Sequence, residues 1–162
     1  MSDTHDDEAA ARPLPPCGLY RTTTRLAEVP AGRLVYFHNH GEPGPGVYLP
    51  TSWRQNRALF NEQGVMIPGG WWAATLDPLP AEGFYRVTRA FHCCEKRCTT
   101  FEADQLLQLG YTADATPLVF VPEVIDAVLT IPEQGTVVDR ARLACLAPLK
   151  TPVTNTADQT IH

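Results

Sequence analysis

Apolar and β-branched residues come in short runs along this chain, and each run is cut off by proline or glycine. The runs fall at 18–25, 33–37, 46–49, 83–91, 105–109, 117–121, 127–131 and 136–138, each near the usual length of a strand. Glu42-Pro43-Gly44-Pro45-Gly46 is a turn by composition and joins two of them. One stretch departs from the pattern. Thr51 or Ser52 is placed to cap a helix over 53–60, with Trp53, Arg57 and Phe60 on one face. Short helical turns are expected at 71–76 and 140–146, ahead of Pro78-Leu79 and Pro148-Leu149.

The runs recur in order. Gly18-Leu19-Tyr20-Arg21 returns as Gly83-Phe84-Tyr85-Arg86, Glu62-Gln63-Gly64 as Glu133-Gln134-Gly135, and Pro78-Leu79 as Pro148-Leu149. Residues 31–50 lie without a gap over 103–122. About five of those twenty columns are identical, where unrelated segments give about one. The pattern predicts an all-β protein of two tandem small SH3-like β-barrels, from an internal duplication, with one or two short helices. A single β-sandwich built from both copies is the alternative. The expected organisation is a disordered arm over 1–16, one barrel over 17–82, a second over 83–150 with a Cys-rich insert, and a disordered tail over 151–162. Units of about 65 residues are marginal alone, so the copies should pack on each other.

Composition narrows the function classes. The net charge is −5 over 162 residues, and much of the excess lies in Asp3, Asp6, Asp7 and Glu8. No dense Lys/Arg run exists, which disfavours nucleic acid as a partner. The acidic start lacks the basic and apolar regions of a secretory signal, and no run approaches the ~18 apolar residues of a membrane span. Five cysteines, an odd number, fit a reducing compartment, and the expected location is the cytoplasm.

One segment is chemically distinctive. The two copies are offset by 65 residues at Gly18/Gly83 and by 72 at Ala31/Ala103, so the second carries seven extra residues between those points. His92, Cys93, Cys94 and Cys98 fall in that window. Three thiols and an imidazole are soft donors suited to zinc, with Cys94 and Cys98 at ligand spacing and Cys93 as an alternate. His38 and His40, on one face of a strand end in copy one, could complete such a site if the loops meet. The same thiols allow a redox reading, because Lys96 and Arg97 beside Cys98 should lower its pKa. Plain space-filling is the third reading, and it is the expected role of Cys145 in the core. Cys17, bordering the arm, carries no expected role.

Trp53, Trp71 and Trp72 occur in copy one without aromatic counterparts in copy two, and mark either the seam between the copies or a partner-binding groove. Arg21 and Arg86 recur at one point of both copies and read as structural. No phosphate loop, nucleophile elbow or placed carboxylate pair is present, which leans against an enzyme and leaves Cys98 as nucleophile the one enzymatic reading. The expected function is a non-enzymatic cytoplasmic adaptor that recognises a protein or peptide partner, like other small-barrel adaptor modules in architecture. The alternative is a zinc-binding or thiol-redox-responsive protein centred on residues 92–98.

Overall fold

The computed structural model describes residues 13–152; the expected disorder of 1–12 and 153–162 lies outside the described residues. Strand dominates, as the short runs predict. The first half contains β1 (Gly18–Arg21), β2 (Leu34–His38), β3 (Gly46–Tyr48), β4 (Pro50–Arg54), β5 (Arg57–Phe60), β6 (Val65–Met66), the one-turn helix α1 (Gly70–Ala73) and β7 (Asp77–Pro78). The second contains β8 (Gly83–Val87), β9 (Phe91–His92), β10 (Thr100–Phe101), β11 (Leu106–Tyr111), β12 (Pro117–Phe120), β13 (Glu123–Ile125), β14 (Val128–Thr130) and β15 (Thr136–Val137). A 3-10 helix (Arg140–Cys145) and β16 (Leu146–Pro148) end it. Residues 14–16, expected in the arm, are held: Leu14 packs on a core, and the Pro15 and Pro16 carbonyls accept hydrogen bonds from Asn39 Nδ2 and the Tyr20 hydroxyl.

Two five-stranded antiparallel sheets result, in the orders β6-β3-β2-β1-β7 and β15-β12-β11-β8-β16. Replacing β1, β2, β3, β6 and β7 by β8, β11, β12, β15 and β16 turns one order into the other. The matching extends to single bonds. The Tyr20 hydroxyl donates to the Pro16 carbonyl at 2.7 Å, and the Tyr85 hydroxyl to the Ala81 carbonyl at 2.6 Å. The Leu79 N–H donates to the Leu19 carbonyl as the Leu149 N–H does to that of Phe84. Neither sheet closes, which corrects the expected barrels. The edge strands β6, β7 and β15 are only two residues long and β16 three, too short for a closing ladder.

Strand alternation places the cores. Tyr20, Val35, Phe37 and Val47 face one cluster with Leu26, Val29, Trp72, Ala73 and Leu76. Leu19 and Leu34 point to the other face of the same sheet. They join a larger cluster with Tyr85, Val87, Leu107, Leu109, Tyr111 and Val119 of the second. The two halves therefore share a core, as the size of each unit requires. The Leu34 N–H donates to the Ala113 carbonyl at 2.8 Å, Arg33 pairs with Asp114, and Arg140 pairs with Asp77 through two guanidinium nitrogens.

The helix expected over 53–60 is instead the β4–β5 hairpin, with Gln55 and Asn56 at φ 50° and 67° in a two-residue turn. The equivalent β13–β14 hairpin turns at Asp126 and Ala127, with φ 50° and 64°. Positive φ at both positions matches the right-handed strand twist. The helical turns expected near 71–76 and 140–146 are present as α1 and the 3-10 helix.

The seven extra residues also have a location. In the first half the β1–β2 connection is pinched by a bridge between Leu26 and Val29. In the second, Phe91 pairs with Phe101 at the corresponding point, their rings stacked at 4.9 Å. Two residues separate the first pair and nine the second. The insert thus extends an existing pinch into the β9–β10 hairpin, and Phe91, Cys93 and Phe101 roof the larger core.

Candidate functional site

The β4–β5 hairpin rises from the first sheet and lies across the outer face of β11. On β11, Leu107, Leu109 and Tyr111 point into the core, so Gln108 and Gly110 point out. Gln108 is buried all the same, because the hairpin covers it. Asn56 Nδ2 donates to Gln108 Oε1 and to the Pro132 carbonyl, each at 3.0 Å, and Gln108 Nε2 donates to the Gln55 carbonyl at 3.0 Å. Glycine is required at 110: a Cβ there would stand 2.7 Å from the Asn56 carbonyl oxygen.

Trp53 anchors this hairpin through Nε1, which donates to the Tyr111 carbonyl at 2.9 Å, yet the residue is 42% exposed. Its indole is a wall of two adjoining clefts. One, of about 660 Å³, is lined by Trp53, Arg57, Phe84, Gln108, Leu129 and Glu133 among others. The second, of about 420 Å³, runs from Trp53 along Tyr111, Ala113, Leu118 and Phe120. The far side of the first cleft belongs to β13–β14, whose Val124, Ile125, Val128 and Leu129 are 50–71% exposed. Sequence reasoning missed these four because an apolar run in a strand reads as core; only the lack of a sheet on top reveals the difference.

The three tryptophans therefore separate. Trp71 is exposed on α1. Trp72 is fully buried, with Nε1 donating to the Arg25 carbonyl at 3.3 Å. Trp72, expected at a partner surface, is instead packed in the smaller core.

In the insert, Cys93 is buried, Cys94 half-buried and Cys98 exposed, with the Cys93 and Cys94 sulfurs 3.6 Å apart. His92 Nδ1 lies 3.0 Å from the Thr100 hydroxyl, across the hairpin. The Cys98 thiol is pushed up by the neighbouring Cys94 sulfur, then by burial and by Cys93. That is opposite to the lowering expected from Lys96 and Arg97. Burial pushes the Cys93 thiol up, but hydrogen bonds from the Thr99 N–H, the Cys94 thiol and the Cys98 and Cys94 N–H groups outweigh it, and the net direction is down. Cys145 is buried in the larger core, as expected.

His38 and His40 meet a different thiol. Their donor atoms and the Cys17 sulfur all lie within 4.8 Å of one another, a set that can hold a metal ion. The cause is register. Gly18 pairs with Phe37, so one step further along the antiparallel ladder sets Cys17 opposite His38. Cys17 was the residue without an expected role; pairing the Gly18 strand against 33–37 is the signal that finds it. Among the described residues no helix is long and apolar enough to cross a membrane. No family profile, curated protein or solved structure was found to match the chain.

Proposed function

We propose that this protein is a non-enzymatic binding module, made of two copies of one small β unit. It takes an apolar-anchored protein or peptide segment in the cleft between the β4–β5 and β13–β14 hairpins. One observation carries the reading: Trp53 is locked in place by its hydrogen bond to Tyr111 while its ring stays open to solvent between two clefts. A rigid, half-exposed indole offers contact area at little cost in ordering, the usual property of an interface anchor. Leu129 of β14 supports it, being exposed, lining the cleft and paired across the hairpin with the exposed Val124. Arg57 and Glu133 at the cleft give polar groups of both signs to orient a bound segment. The five free cysteines agree with a reducing, cytoplasmic setting.

The experiment is selection from a displayed peptide library against the full chain, followed by affinity measurement of the enriched peptides. Enriched peptides should carry aromatic or aliphatic anchors. They should lose at least tenfold in affinity with Leu129→Asp and with Trp53→Ala, while Trp71→Ala leaves affinity unchanged. Peptides that bind all three variants equally, or no enrichment over a blank surface, would dismiss the cleft as the binding site.

A further inference from the structure

We propose that Cys17, His38 and His40 form a zinc site, independent of the cleft, with three protein ligands and a fourth position open to solvent. The donor set suits the metal: one thiolate and two imidazoles are borderline-soft ligands of the kind zinc takes, and three protein ligands leave room for a water or an outside group. The spacing suits it as well. Zinc–sulfur and zinc–nitrogen bonds of about 2.3 and 2.0–2.1 Å, at a tetrahedral angle, put sulfur and nitrogen about 3.5 Å apart. The Cys17 sulfur is 3.7 Å from His40 Nδ1, and the two imidazole centroids are 4.1 Å apart.

The surrounding hydrogen bonds prepare each donor. His38 Nδ1 lies 2.5 Å from the His40 carbonyl oxygen, which can only accept, so the proton sits on Nδ1 and Nε2 keeps its lone pair. The Asn39 N–H donates to the Cys17 sulfur at 3.3 Å. Asn39 Oδ1 accepts from the Cys17 thiol at 3.2 Å and from His40 Nδ1 at 2.8 Å. Both protons are held on the one oxygen, Asn39 Oδ1. On binding, the Cys17 proton leaves to solvent and the His40 proton moves to Nε2, so one proton is released per zinc. Asn39 is itself tied to the Pro15 carbonyl, which fixes the carboxamide between the two ligands. The scaffold is stiff where it matters, since β2 is the central strand of its sheet and carries His38 at its end.

The test uses untagged full-length protein titrated with zinc against a competing chelator, and with cobalt as a spectroscopic probe. One equivalent of zinc should bind, and cobalt should give a thiolate charge-transfer band. Cys17→Ser should remove the band, and Cys17→Ser and His40→Gln should each weaken zinc at least 100-fold without altering the circular dichroism spectrum. Cys94→Ser/Cys98→Ser should bind as the wild type does. Absence of the cobalt band in the wild type, or unchanged zinc affinity in the Cys17→Ser/His40→Gln double variant, would overturn the site. Neither result bears on peptide binding at Trp53, which is read separately.

Discussion

Two adjacent tryptophans separate packing from surface at the scale of a single residue. Trp72 is 1% exposed and Trp71 is 48% exposed, on consecutive positions of one helical turn. Trp72→Ala should cost about 3–5 kcal/mol, the range for emptying a buried aromatic site. Trp71→Ala should stay within about 0.5 kcal/mol of the wild type. Urea unfolding of both variants checks this, and equal losses would contradict the assigned burial. The letters could not make this distinction, because α1 is a single turn and too short to show a periodic face. Cys17 was illegible for a related reason: its meaning lies in what stands across the ladder, and neighbours in sequence do not show that. His38 and His40, by contrast, were legible as a pair, since alternate residues of a strand end share a face.

The two hairpins carry the argument at the scale of the element. The spacing of Trp53, Arg57 and Phe60 fits one face of a helix, yet the segment is two strands joined by Gln55 and Asn56. Gln-Asn lacks the glycine that usually announces such a turn, and tertiary contacts with Gln108 decide the outcome. The equivalent segment of the second half was the better witness, since its run at 127–131 read as a strand and contains β14. Asn56→Ala removes the donor that reaches Gln108 and Pro132 and leaves a buried carboxamide short of a partner. The expected loss is about 1–3 kcal/mol, measured by urea unfolding, with peptide affinity falling in parallel. Ala127 occupies the left-handed region, where a Cβ costs roughly 1–2 kcal/mol. Ala127→Gly should recover up to about 1 kcal/mol of that in a thermal or urea melt; a destabilised variant would count against the turn geometry.

At the scale of the whole molecule, charge ties one half to the other. A hydrogen bond from Arg140 holds the Asp77 carboxyl below its ordinary value, with burial opposing and the Arg140 and Arg21 charges assisting. As the pH falls below the unfolded value near 3.8, the unfolded chain takes up a proton before the folded one. The pair's contribution is therefore complete above that value and fades below it, toward the lowered folded value. Asp77→Asn should be less stable than the wild type by about 1 kcal/mol or less at neutral pH, because both side chains are partly exposed. The gap should narrow as unfolding is repeated toward about pH 3; a gap that widens in acid would reverse the assignment. The likeness of the two sheets was legible at this scale, in matching residues that recur in the same order along the chain. Closure was not, because two-residue edge strands leave almost no trace in a pattern of apolar runs.

The way the first hairpin covers the second sheet gives the molecule a direction. The β4–β5 arm lies on the outer face of β11, while among the described residues the corresponding arm, β13–β14, leaves Val124 and Leu129 exposed. A third unit spliced after residue 150, with its own glutamine and glycine at the positions of 108 and 110, would offer that arm a seat. Such a chain should bury Val124 and Leu129 and give up the cleft that the shorter one leaves open.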